Sequence, residues 1–179
     1  MDRKQFLLLM LIPAVVIVVF SGVKLFTASM GEEILLKTAP VDPRDIFRGD
    51  YVRLSYEISM IDLNNVSSDR DFSTDDTIYA ALSKKEKFWT VDSASHSTPS
   101  LAENQVCMKG SVSATASRQI DNIVGVEWGI ESYFVPEGEG REIEKERNAG
   151  NTSVIISVDS TCSSVLKELL IDDEPVVFH

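Results

Sequence analysis

Histidine, cysteine and basic charge are all in short supply in this chain, and each shortage removes a class of function. Only two histidines, His96 and His179, occur in 179 residues, and the two cysteines, Cys107 and Cys162, lie far apart. Zinc sites draw on closely spaced Cys and His ligands, so no metal centre is expected. Seventeen basic residues against 28 acidic ones give a formal net charge of −11, which repels a phosphate backbone. The one dense basic run, Lys84-Lys85-Glu86-Lys87, is short and carries its own acid, so nucleic acid is not expected as a partner. No internal repeat, nucleophile–base pair or cofactor motif emerges. No cofactor is expected, and catalysis by a nucleophile–base pair, a metal cluster or a bound cofactor has no motif to support it.

What the chain does have begins at Phe6. From there to Val23 the sequence FLLLMLIPAVVIVVFSGV carries no charge, and residues 6–26 give about 30 Å of helix at about 1.5 Å per residue, enough to span a bilayer's hydrocarbon. Pro13 is compatible with such a helix, and Lys24 can reach the interface with its ammonium. Arg3 and Lys4 precede the run while Glu32 and Glu33 follow it, a charge bias that places the N-terminus in the cytoplasm and the rest outside. A cleaved signal peptide is the competing reading, because Thr27-Ala28-Ser29 offers small residues beyond the run. The expected division is a cytoplasmic N-terminus and transmembrane anchor over 1–29 and one extracytoplasmic domain over 30–179, with Met30–Glu33 as a short tether.

Beyond the anchor the chain predicts a mainly β domain, antiparallel and either barrel-like or sandwich-like. Tyr51–Ile58 is the clearest strand, since Val52, Leu54, Tyr56 and Ile58 alternate with Tyr51, Arg53, Ser55 and Glu57. Weaker runs are 34–38, 77–82, 88–91, 105–112, 123–130, 154–158 and 165–171, while 64–76 and 92–104 read as polar loops. A short exposed helix is expected near 140–147, where Glu and basic residues fall at helical spacing. Cys107 and Cys162 both lie in the outer part, where an oxidising compartment would let them bridge; two separate buried thiols are the alternative.

The densest cluster of charged side chains is Pro40–Tyr56, in which Asp42, Asp45 and Asp50 alternate with Arg44, Arg48 and Arg53. Such acids and arginines can serve simply to fix a turn. Within the cluster, Gly49-Asp50-Tyr51-Val52-Arg53-Leu54-Ser55-Tyr56 resembles the signature of the GDYXXLXY family at every fixed position, and Gly129–Glu142 resembles a second block of that family. The resemblance implies a membrane-anchored protein whose biochemical role is not defined, with similar members encoded beside multi-span membrane proteins. Val41–Asp50 is also similar in length and in its closing Gly-Asp to the nucleophile segment of signal-peptidase-like serine proteases. Val41 stands where the serine would be, so any kinship is one of scaffold.

Remaining candidates are weaker. Asp69, Asp71, Asp75 and Asp76 lack the glycine and terminal glutamate of an EF-hand loop, and Asn65-Val-Ser and Asn151-Thr-Ser are glycosylation sequons. The expected function is an extracytoplasmic binding or accessory subunit of an integral membrane complex. Its expected partners are the bilayer, through 6–26, and a membrane protein. The candidate partner surface joins the two blocks through Arg44, Asp45, Arg48, Asp50, Tyr51, Arg53, Glu131, Tyr133, Glu137 and Arg141, as arginines of one neutralise carboxylates of the other. The alternative is a hydrolase using Asp45, Asp50, Glu131 or Glu137 as acid and base.

Overall fold

Each alternating run must bury one face, and in the computed structural model, which describes residues 3–40, 51–69, 71–118, 121–136, 143, 146 and 150–177, those faces meet between two sheets. In chain order the first elements are helix α1 (Arg3–Met30), β1 (Glu32–Ala39), β2 (Tyr51–Arg53), β3 (Ser55–Tyr56), a 3-10 turn (Glu57–Ser59), β4 (Met60–Asp62) and β5 (Ser67–Ser68). Then follow β6 (Thr77–Lys85), β7 (Phe88–Ser95), β8 (Gln105–Arg118), β9 (Asp121–Glu127), β10 (Ser132–Phe134), β11 (Thr152–Val158), β12 (Ser164–Ile171) and β13 (Glu174–Pro175). One sheet has the order β13-β12-β11-β1-β3, a second the order β4-β9-β8-β6-β7-β5, and β10-β2 form a separate ribbon. Pairing is antiparallel except between β5 and β7. Among the described residues the sheets form no closed barrel, so the open, two-sheet form is the one adopted.

The two large sheets share one core. Ile34 and Leu36 of β1 and Val154 and Ile156 of β11 are buried in the same cluster as Ile78, Leu82, Met108 and Val126 of the other sheet. Strand β11 lies between β1 and β12 and is buried along nearly its whole length, with Ser153 and Ser157 covered on the face opposite Val154 and Ile156. A disulfide joins Cys107 on β8 to Cys162 in the β11–β12 turn, with Cα atoms 4.8 Å apart, so it ties one sheet to the other. The Lys109 amide donates to the Cys162 carbonyl at 2.8 Å beside it.

The expected single strand over 51–58 is corrected. The inward residues Val52, Leu54, Tyr56 and Ile58 are all buried, yet the backbone changes partner at Leu54 and turns into a 3-10 helix at Glu57. Two of its parts answer to two neighbours, β2 pairing with β10 and β3 with β1, and β4, just beyond the turn, pairs with a third, β9. Periodicity reports which side chains go inside, not which strand takes the hydrogen bonds. The loop expected at 92–104 likewise begins later, because β7 continues to Ser95, and the loop at 64–76 contains β5. Of the helix expected near 140–147, Ile143 and Glu146 are helical and Ile143 is buried; the other positions lie outside the described residues.

The tether expected over Met30–Glu33 is also corrected. Helix α1, whose Leu11–Met30 stretch is long and apolar enough to cross a membrane, runs to Met30, and β1 begins at Glu32. The last turns of α1 dock on β11 and β12. Thr27 is buried there: its hydroxyl donates to Asp159 Oδ2 at 2.5 Å, and its carbonyl accepts from Ser157 Oγ at 2.7 Å and from the Gly31 amide at 3.0 Å. Gly31 is required by this approach, because a Cβ there would stand 2.7 Å from the carbonyl oxygens of Thr27 and Val158 and collide with Ser157 Oγ. Partial burial pushes the Asp159 carboxyl up, but hydrogen bonds from the hydroxyls of Thr161 and Thr27 and the amides of Thr161 and Ser163 outweigh it and hold the carboxyl below its usual range.

Two outcomes follow from this architecture. Replacing Cys107 and Cys162 together by serine should lower the unfolding free energy of the full-length protein in detergent by up to about 4 kcal/mol in the chain-entropy account, and with it the denaturation midpoint. An unchanged midpoint would show that the inter-sheet staple contributes nothing. Because the folded Asp159 carboxyl is depressed, its contribution is complete above the ordinary carboxylate range near pH ~4 and fades as pH falls through the folded value. The wild-type thermal midpoint should therefore drop more steeply on acidification than that of Asp159→Asn; parallel curves would remove Asp159 from the acid response.

Candidate functional site

The two sequence blocks singled out by their motif pair directly. In the β2–β10 ribbon Arg53 faces Ser132, Val52 faces Tyr133 and Tyr51 faces Phe134. Immediately after, the Leu54 amide donates to the Glu131 carbonyl at 2.7 Å. The ring of Tyr56 is buried, and its hydroxyl donates to the Ile130 carbonyl at 2.5 Å. Burial, and then the nearby Glu131 carboxylate, push the Tyr56 hydroxyl far above the usual phenol range, so it remains a proton donor. Gly129, with φ of +78°, supplies the left-handed residue that turns β9 back toward β10.

Sequence at this corner explains the geometry. Leu54 and Tyr56, two fixed positions of the motif, are packing residues, and the second block supplies the two carbonyls that receive their polar groups. Glu131 turns its own Oε1 toward the Trp128 amide at 2.5 Å, closing the Trp128–Glu131 turn. A cleft of about 310 Å³ opens beside this corner, lined by Arg53, Ser59, Met60, Ser113, Glu127 and Glu131 among others. Its wall carries the buried Ser59 hydroxyl, which has no hydrogen-bond partner among the described residues. Arg53 Nη2 reaches Glu127 Oε1 at 3.2 Å, with both side chains about half exposed, so the pair is a modest electrostatic contribution and a polar rim.

Of the ten candidate surface residues, Arg53 and Glu131 both line this cleft, whereas Tyr133, opposite Val52, lies on the other face of the ribbon from Arg53, and the backbone of Tyr51 completes the pairing. Tyr133 is half-buried, and its hydroxyl is raised first by burial and then by Glu168 of β12, so its ring lies toward the five-stranded sheet. Arg44, Asp45, Arg48, Asp50, Glu137 and Arg141 lie outside the described residues, as does Val41. Arg53 forms its ion pair with Glu127 of β9, a residue outside either block. Sequence reasoning passed over Glu127, Ser59 and Met60, which only the turn from β3 to β4 and the β4–β9 pairing bring to the cleft.

Elsewhere two carboxylates of the acidic loop meet backbone amides. Asp76 Oδ2 accepts from the Ser73 amide and Asp69 Oδ2 from the His96 amide. Among the described residues no group of three or more His, Cys, Asp or Glu side chains is placed to hold a metal ion.

A model of the GDYXXLXY protein family matches residues 13–169. No curated protein and no solved structure matches the chain.

Removing the Tyr56 hydroxyl leaves a buried carbonyl unpaired at the meeting point of the blocks. Tyr56→Phe should destabilise the protein by about 1–3 kcal/mol, and Leu54→Asp should abolish folding by burying a charge. Thermal unfolding of the two variants checks both, and a Tyr56→Phe protein as stable as wild type would deny the hydroxyl its structural role.

Proposed function

The chain belongs to the GDYXXLXY family, and from that premise we propose that it is a membrane-anchored extracytoplasmic binding or accessory subunit that works with an integral membrane partner. The observation that carries this reading is the corner where the two motif blocks pair. Leu54 and Tyr56 make it rigid from within, while Arg53, Glu127 and Met60 line the cleft with exposed side chains and Phe134 stands exposed on the adjoining ribbon. Exposed arginine and large apolar side chains on a preorganised backbone are what a protein-binding surface needs. Met60 and Phe134 are 62% and 77% exposed.

Retention of the apolar helix is favoured by the burial of Thr27. Cleavage at Thr27-Ala28-Ser29 would detach the hydroxyl held by Asp159 and the carbonyl that accepts from Ser157. Arg3 and Lys4 before the helix, against Glu32 and Glu33 after it, favour a cytoplasmic N-terminus in the cell membrane with the sheets outside. A carboxylate-dependent hydrolase draws less support, since Glu131, the one described member of its four acids, has an oxygen committed to a backbone amide.

Tagged full-length protein drawn from membranes in mild detergent should bring a stoichiometric integral membrane partner, identified by mass spectrometry. Arg53→Glu should lose that partner while keeping the wild-type unfolding free energy within about 0.5 kcal/mol, the range of surface changes. Retention of the partner by Arg53→Glu would move the surface elsewhere. Intact mass of the same preparation should include Leu7–Val23, and an externally active reporter fused after His179 should work; a mature chain starting near Met30 would make the helix a signal peptide.

A further inference from the structure

A helix that leads into its domain through a flexible tether leaves the domain free to tumble over the membrane, but α1 has no such freedom. Its final two turns are held from the side by Thr27, whose hydroxyl and carbonyl are bound by Asp159 and Ser157, and Gly31 is wedged between Thr27, Ser157 and Val158. Strand β11 pairs Val158 with Glu32 at the very start of β1. The turn that follows β11 therefore extends past the base of the sheet and down alongside the helix.

The depth of that turn follows from the helix. Lys24 Nζ lies 3.5 Å from the Ser164 carbonyl at the start of β12, so the first charge after the apolar run sits beside the sheet. The uncharged segment Phe6–Val23 then has to fill the hydrocarbon, and its 18 residues give about 27 Å against about 30 Å of core. Residues 24–30, against which the turn docks, add about 10 Å more, a little over the depth of one headgroup layer. The outer face of these same turns is still apolar: Leu25, Phe26 and Met30 are 68%, 62% and 74% exposed, as befits residues at the lipid boundary.

We propose that the β11–β12 turn, Asp159–Ser163, is a membrane-contact surface that lies in the lipid headgroup layer and offers the exposed Ser160 and Thr161 to phospholipid headgroups. Its chemistry suits that layer. The exposed Ser160 hydroxyl can donate to a phosphate oxygen, while Thr161, whose own proton goes to Asp159, can still accept from a headgroup glycerol hydroxyl. The single charge, Asp159, is engaged internally by Thr27, Thr161 and Ser163 and so is not presented to anionic lipid. The Cys107–Cys162 bridge ties the turn to β8, so contact at the turn sets the tilt of both sheets and the height of the Arg53 cleft above the membrane.

This inference rests on α1 being a retained anchor, and the test separates the two. Full-length protein carrying the photoreactive residue p-benzoylphenylalanine in place of Thr161, or of Asp173 as control, is reconstituted in phosphatidylcholine–phosphatidylglycerol nanodiscs and irradiated. Asp173 follows β12 at its far end, about 25 Å along the strand from Ser164. The expected result is a phospholipid mass adduct several-fold more abundant at Thr161 than at Asp173. A Gly-Ser-Gly-Ser insertion between Met30 and Gly31, which frees the sheets from the helix, should bring the Thr161 yield down to the control level. Equal yields at the two positions in protein that stays in the nanodisc would overturn the contact surface and leave the anchor standing. Protein that leaves the nanodisc, with α1 absent from its intact mass, would overturn the anchor and this inference together.

Discussion

A tyrosine whose ring is wholly buried must still find an acceptor for its hydroxyl, and much of this fold is arranged so that Tyr56 finds one. The acceptor is the carbonyl of Ile130, some seventy residues on, and it is available because Gly129 turns the chain out of β9 and Glu131 holds the turn from below. Leu54 adds a second obligation, its amide meeting the Glu131 carbonyl. With both satisfied, the segment from Tyr51 to Asp62 can pass from β10 to β1 to β9 and still bury Val52, Leu54, Tyr56 and Ile58. The corner is thereby the hinge point between two sheets that otherwise meet through their core, through contacts of β1 with β7, and through the Cys107–Cys162 bridge.

The opposite end of the five-stranded sheet is governed by a similar rule. Thr27 is a polar residue buried at the end of an apolar helix, and besides the Val23 carbonyl of its own helix its groups meet Ser157, Asp159 and Gly31. A helix end that needs the sheet to complete its hydrogen bonds becomes part of the sheet's own structure. Orientation of the sheets relative to α1 is thus set by short-range contacts, and the cleft beside Arg53 inherits that orientation through β1, which runs from the docked helix to its pairing with β3.

How legible this was in the chain differs from one segment to the next. The helix needed only its uncharged length, and β1, β6, β8 and β11 needed only alternation or a continuous apolar run, since burial of one face is a local pattern. Tyr51–Ile58 carried the same alternation, and its buried residues were read correctly, but hydrogen-bond partners are chosen by distant strands and leave no local trace. The same holds for the tether: nothing in Met30–Glu33 announces that Ser157 and Asp159 will hold the preceding turn. At the cleft the motif blocks drew attention to Arg53, Glu131 and Tyr133, whereas Glu127 and Ser59 carry no signal of their own and enter by topology.

By itself, then, the sequence determined an apolar helix followed by a mainly β region, the inward side chains of Tyr51–Ile58, the acidic charge, and membership of a motif family. Those properties are sums over neighbouring residues, and a chain carries them before it folds. Tertiary structure decided that α1 joins β1 through Gly31 alone, that the β2–β3 boundary falls at Leu54, that Cys107 meets Cys162, and that Arg53 pairs with Glu127. Each of these is a meeting of residues remote in sequence, or is imposed by one, and no pattern of neighbouring residues records such a meeting.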